Sequence, residues 1–235
     1  VTARMAWNSL QVFENFEDLV GTPSGYVRTG YFLAVGEEDR RSLERNVAML
    51  KGLDIDTDVM SASGVAEMAP MLAVQEDETF AYEPRSGYAD PYSVTTGYAN
   101  RARDMGARVW TDTSATGIEV SGGRVTAVVT DGERIATPIA VIAAGPWAGP
   151  LLKSLGVDVP LRTLRHQVVM LRRPEAVVPD HPTVGDVVNS FSARPDAGHL
   201  TLVGVGEDEF AGPDEYNQGV DMSMVESAMT GLARR

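Results

Sequence analysis

"VIAAGPWAGPLL", residues 141–152, is the stretch whose reading decides the fold. Apolar residues run without alternation up to Ala144, and two glycines, two prolines and a tryptophan follow within the next six positions. That order predicts a strand covered on both faces, then a sharp turn and a helix. Gly145 lets the backbone turn and approach a neighbour with no Cβ in the way. Pro146 suits the first helical position, where its missing N–H costs nothing. The helix that follows points unpaired N–H groups back at the corner, a place for an anionic or electron-rich group. No Cys, paired His or Ser-x-Gly element stands beside it. The corner is read either as an ordinary structural strand–turn–helix junction or as a place where main chain approaches a cofactor whose own ring system reacts.

Working upstream, "TGIEV", "SGG", "RVTAVVT", "DGE" and "RIATPIAVIAA" (116–144) predict an antiparallel meander feeding the apolar strand. Before it, Trp7, Leu10, Phe13, Phe16 and Leu19 recur every third residue and predict one amphipathic helix ended by Gly21 and Pro23. A strand over "GYVRTGYFLAV" (25–35) leads to a charged-face helix (37–53) with Leu43, Val47 and Leu50 inward. A short helix around 64–72 and a strand-like "ETFAYEPRSGYADP" (78–91) follow. The next helix carries Val94, Tyr98, Ala102 and Met105 on one face, is capped by Gly106, and gives way to a strand from Arg108 to Trp110. Downstream, strands are predicted within 160–174, 186–195 and 199–206, with a last helix over about 221–234. The pattern is α/β (α+β) with a large sheet.

The chain has 235 residues, 43% of them apolar and 23% charged, which is ordinary for a soluble globular protein. No apolar run approaches the roughly 18 residues of a membrane span. A net charge of −13 argues against nucleic acid and anionic membranes as partners. The absence of cysteine excludes disulfides, Cys metal sites and Cys nucleophiles, and suits a reducing cytoplasm. The sequence opens on Val1 without signal-peptide order and stops on a helix-like pattern, so both ends are expected to be boundaries within a longer protein.

Taken in order, "GYADPYSVTTGYANRARDMGARV" and then residues 111–171 resemble the D-amino-acid-oxidase-like family of FAD-dependent oxidoreductases. The likeness is to its sarcosine oxidase, dimethylglycine dehydrogenase and glycine oxidase branch. A Gly-x-hydrophobic-Asp-Pro segment opens a helix ending near "GA", a strand–hairpin–strand block ends in an "AAGxW" corner, and a "P-hydrophobic-R-x-x-x-Q"-like strand follows. The resemblance spans roughly residues 25 to 210. It implies a large mixed, mostly antiparallel substrate-domain sheet with flanking helices, plus part of a parallel-sheet FAD-binding domain. The implied segments are 1–80 (substrate domain with N-terminal helices), 81–155 (FAD-binding domain) and 156–235 (substrate-domain strands and closing helix).

The same resemblance implies FAD contacts at Ala115, Ala143, Ala144 and Gly145, with Trp147 at the corner. It places Phe191 facing substrate over the flavin and His166 beside the same cavity. The Gly-x-Gly-x-x-Gly fingerprint is absent, so a complete FAD site is not contained in these residues and they are expected to hold FAD weakly and to be inactive alone. Asp90, Pro91 and Tyr92 stand where some relatives attach flavin through histidine, so FAD is expected to be non-covalent. The implied reaction is oxidation of a C–N bond in a small amine or amino acid, with a hydride equivalent passing to flavin. The alternatives are a 2-hydroxy acid or polyol phosphate as substrate, or a non-catalytic binding segment.

Other side chains carry plainer expectations. His181 and His199 are expected at the surface, and no His pair has metal-ligand spacing, so no metal is predicted. Trp110, Trp147, Met49, Met68 and Met71 are expected in the core. Arg162, Arg165 and Arg194 are candidate partners for a substrate carboxylate. Self-association is left open.

Overall fold

A computed structural model describes residues 2–174, 180–206 and 209–235. Along the chain the elements begin with α1 (Thr2–Glu14), α2 (Phe16–Val20), β1 (Val27–Arg28), β2 (Tyr31–Val35) and α3 (Arg40–Lys51). Next come β3 (Asp58–Ser61), α4 (Ala62–Met68), β4 (Thr79–Glu83), β5 (Gly87–Tyr88) and α5 (Pro91–Asp104). The middle of the chain supplies β6 (Ala115–Ser121), β7 (Arg124–Thr130), β8 (Arg134–Ala136), a 3-10 turn (Gly145–Trp147) and α6 (Ala148–Ser154). The remainder forms β9 (Leu164–Arg165), β10 (Val168–Arg172), β11 (Thr183–Asp186), β12 (Phe191–Asp196), β13 (Leu200–Val205), β14 (Glu209–Phe210) and α7 (Met222–Arg234).

Two compact units result. One comprises Val1–Ala107, Gln167–Glu207 and Val220–Arg235; the other comprises Arg108–His166 and Asp208–Gly219. These limits fall at different places from the segment boundaries expected at 80 and 155, because the long sheet draws its strands from both ends of the sequence.

The first unit is built on a seven-stranded sheet in the order β10-β13-β12-β11-β2-β4-β3. Every neighbouring pair is antiparallel except β11 and β2, which run parallel from Thr183↔Tyr31 to Asp186↔Ala34. This is the large mixed, mostly antiparallel sheet expected from the sequence. Gly30, at φ +70°, divides the expected 25–35 strand into β1 and β2. The "YFLAV" run of β2 does not alternate because both of its faces are covered. Phe32 and Ala34 pack with Phe80, Ala62 and Val65, whereas Leu33 and Val35 meet Ala81 and the inward Leu43 and Val47 of α3.

A third cluster lies where α7 covers β12 and β13: Phe191, Ala193, Val203 and Val205 pack with Met224 and Ala228. Contact is close, since a Cβ on Gly231 would stand 2.9 Å from the Phe191 ring. The opposite side of these strands is more open. Ser192 is exposed, Leu202 is half-buried, and Val168 and Met170 are nearly half-exposed.

The end of α7 is tied down by a buried charge cluster. Arg235 donates from Nη1 and Nη2 to Glu78 at 2.8 Å, and from Nε to Asp186 at 2.8 Å. The Gln75 N–H donates to Glu78, and Asn189 donates to Asp186 through its backbone and its side chain. All the members have partners, as buried charges require.

The second unit holds the β6-β7-β8 meander as predicted, and a β9-β14 ribbon. The expected apolar strand is not formed. Beyond Thr137, whose N–H donates to the Thr126 carbonyl of β7, residues 138–144 have no strand partner among the described residues, and Val141 is 87% exposed. A parallel strand exists only where neighbours take its N–H and C=O groups. For the same reason Arg108 to Trp110 is not a strand.

Several packing expectations are corrected likewise. Trp110, Trp147, Met49 and Met68 are about half-exposed, while Met71 does pack on the β2–β4 core. The first helix breaks at Asn15 into α1 and α2; of its apolar stripe only Phe16 is buried, against Tyr98 at 4.9 Å. In α5 the buried position is Gly97, because Phe16 and Thr22 approach there, and Met105 points to solvent.

Two stability outcomes follow from this packing. Phe80→Ala should cost about 3–5 kcal/mol through lost transfer and a residual cavity, read as a lower urea midpoint. Arg235→Met should cost about 3–5 kcal/mol, because it leaves Glu78 and Asp186 buried without their cation. A midpoint unchanged by Arg235→Met would show that the cluster does not hold α7.

Candidate functional site

In the second unit the corner forms as a turn into a helix. Gly145 takes φ +50°, the Trp147 N–H donates to Ala144 at 3.0 Å, and α6 follows directly. A Cβ built on Gly145 would meet nothing within 4 Å. The backbone here is open, not packed: Ala143 and Gly145 are exposed and Ala144 is half-buried. Trp147 is 52% exposed and is held in place by its indole N–H, which donates to Asp214 at 2.9 Å. Ala115 is exposed at the start of β6, opposite Thr130. The residues expected to meet FAD thus present small side chains and uncovered main chain, and that fits contact with a flat ring system. None of them supplies a charged group for the pyrophosphate.

His166 is exposed at the end of the second unit. Phe191 belongs to the first unit and faces α7, as do Ala193 and Val203. Its neighbours Ser192 and Arg194 point to the other side of the sheet, because side chains alternate along a strand.

The three candidate arginines are distinguished by what already holds them. Arg165 is committed within the second unit, donating to the carbonyls of Asn217 at 2.5 Å and Gly219 at 2.6 Å, with Glu209 at 3.4 Å. Arg162 lies over the Phe210 ring at 5.5 Å. Arg194 stacks on Tyr88 at 4.3 Å and meets Asp196 at only 3.4 Å, with its side chain 30% exposed. Tyr88 and Asp196 line a cavity of about 460 Å³ in the first unit, together with Arg28, Asp180, His181 and His199. Burial, and next Asp196 beside it, push the Tyr88 hydroxyl above its usual range.

Sequence reasoning missed one feature of this cavity wall. His181 was expected at the surface and is buried, at 9% exposure. Its Nδ1 lies 2.8 Å from the Pro182 carbonyl and its Nε2 lies 2.9 Å from the Thr201 hydroxyl. The carbonyl can only accept, so Nδ1 carries the proton, and Nε2 then accepts from Thr201. Thr201 in turn accepts from Arg173 at 3.0 Å. The pairing of β13 with β10 brings Thr201 to Arg173, its pairing through β12 to β11 brings it to His181, and no local signal in "DHPT" announces either.

Among the described residues no group of three His, Asp or Glu could hold a metal ion, and no helix is long and apolar enough to cross a membrane.

The first unit is a mixed sheet backed by helices, and the second is a meander with an exposed glycine corner. The chain belongs to the FAD-dependent oxidoreductase family DAO, which it matches over residues 1–235. It is 29% identical over 199 residues to mitochondrial sarcosine dehydrogenase of Mus musculus, covering 82% of this chain and 22% of that protein. It is 25% identical over 207 residues to the formaldehyde-forming 4-methylaminobutanoate oxidase of Paenarthrobacter nicotinovorans, covering 87% of this chain and 25% of that protein. The chain therefore spans about a quarter or less of the length of these relatives. Among solved structures, L-proline dehydrogenase from P. horikoshii matches its fold with a TM-score of 0.85 at 19% identity, over 98% of this chain and 61% of that one.

His181 makes stability depend on pH. Burial is the largest influence and holds its pKa below the ordinary 6.5. The folded state therefore favours neutral imidazole, and its contribution, present above about pH 6.5, is lost as pH falls through the depressed folded value. The urea midpoint should drop between about pH 7 and pH 5, and His181→Gln should flatten that drop. Parallel profiles for both proteins would refute the assignment of neutral His181.

Proposed function

We propose that the protein is an FAD-dependent oxidoreductase that oxidises the C–N bond of a small amine bearing a carboxylate, with N-methylated amino acids as the favoured class. The observation that carries this reading is Arg194. It stacks at 4.3 Å on Tyr88, which lines the cavity of the first unit, meets the Asp196 carboxylate at 3.4 Å and donates to the Pro195 carbonyl at 3.3 Å. Its guanidinium can leave Asp196 for a substrate carboxylate at small cost, because a half-solvated pair is weak. The curated relatives support the class: sarcosine and 4-methylaminobutanoate are both N-methyl amino carboxylates.

In this reading Ala115, Ala143, Ala144, Gly145 and Trp147 hold FAD non-covalently by close backbone approach. Bound FAD would supply the two-electron acceptor. The chain's own residues position the amine and hold its carboxylate, so few acid–base groups are required. A small-molecule amine is the partner; neither nucleic acid nor a membrane is.

The test is anaerobic bleaching of the visible flavin band in the full-length protein. Sarcosine and dimethylglycine should bleach it faster than glycine or proline. Bleaching by lactate or glycerol 3-phosphate in their place would overturn the amine reading. Arg194→Gln should raise KM for sarcosine about tenfold or more, the worth of a charge-assisted bond, with FAD retention unchanged. Gly145→Val forces a β-branched residue to positive φ and should lower FAD retention while leaving the first unit folded. Full retention of FAD by Gly145→Val would sink the role given to the corner.

A further inference from the structure

On the side of the sheet covered by α7, a second cavity of about 370 Å³ lies within the first unit. Its apolar wall includes Leu171, Val184, Phe191, Ala193, Met229 and Leu232. Among the described residues its ionisable lining consists of Arg172, Arg173, Arg235 and His181, with no Asp or Glu. That is the reverse of the chain as a whole, which has 33 acidic and 20 basic residues.

The acids that neutralise these arginines are not lining residues. Glu78 and Asp186 hold Arg235 at 2.6–2.8 Å. Asp180, largely exposed, takes one terminal nitrogen of Arg173. The other terminal nitrogen donates to the Leu200 carbonyl at 2.5 Å and to the Thr201 hydroxyl at 3.0 Å. The Nε–H of Arg173 is buried and has no partner among the described residues. Neutral His181 cannot serve it, since Nε2 already accepts from Thr201.

We propose that this cavity binds a small amphipathic carboxylate, with its apolar body against Phe191 and Leu171 and its anionic end on Arg173. A carboxylate engaging Nε and Nη2 together makes the parallel two-bond fork that a guanidinium favours, whereas Asp180 uses only one of those donors. The ligand displaces an exposed carboxylate and satisfies a buried donor, and both changes favour binding. Arg172, exposed at the rim and donating to the Gly198 carbonyl at 3.3 Å, adds to the positive field. An apolar enclosure with a few convergent polar groups is the usual form of a small-ligand site. The inference does not rest on flavin or on the reaction proposed above.

Octanoate is the probe, with octanol and octylamine as matched apolar bodies lacking the negative charge. Binding is read by calorimetry and by the 13C-methyl signals of Met71 and Met229, which line the cavity, against the exposed Met49 and Met105. Octanoate should bind saturably, shift Met71 and Met229 alone, and bind about tenfold or more tightly than octanol, since a charge-assisted fork separates them. Ala193→Phe, which fills the cavity, should abolish binding, and Arg173→Gln should weaken it about tenfold. If Arg173→Gln does not fold, the methyl shifts and Ala193→Phe decide the matter. Equal affinity for octanol, shifts outside the cavity, or binding that survives Ala193→Phe would each overturn the proposal.

Discussion

The parallel pairing of β11 with β2 is the joint on which the rest of the first unit depends. On one side of it lie the antiparallel strands β10, β13 and β12, and on the other lie β4 and β3. Residues about 150 positions apart meet in register there, from Thr183↔Tyr31 to Asp186↔Ala34. Closing so long a loop is entropically unfavourable, and burial on both sides of the joint offsets that cost. Phe32, Phe80 and Val184 are all fully buried around it. The Arg235 cluster reinforces the same place: Asp186 ends β11, Glu78 immediately precedes β4, and Arg235 binds both. Helix, sheet and loop are thereby tied at one point.

The two units differ in what they expose. The first unit presents charged and aromatic side chains on a firm sheet: Arg194 on Tyr88, and Arg173 with Thr201 and His181. The second unit presents main chain, since Gly145 and its alanine neighbours bring no reactive atoms.

Much of the local structure was legible in the residues. Period-two patterning with Gly-rich turns between its runs marked β6, β7 and β8, and the spacing of Leu43 and Val47 marked α3. These features depend on neighbours close in sequence. "PIAVIAA" was misread because its pattern describes what a strand needs, and no described strand meets that need. The surface expectation for His181 failed for a related reason: Thr201 and Arg173 reach it only after β10, β12 and β13 have paired. Trp110 and Trp147 were assigned to a core on composition, but the second unit has little interior to receive them.

The sequence by itself determined the family, most of the local elements and the glycine corner, because turn chemistry, periodicity and ordered motifs are properties of short segments. The tertiary structure alone decided which face each strand side chain occupies, which arginine remains available, and where buried charge gathers. Those outcomes depend on strand register and on partners distant in the chain. A shift of one residue in β12 would exchange Phe191 for Ser192 beneath α7, and the partners that hold the observed register lie on distant strands.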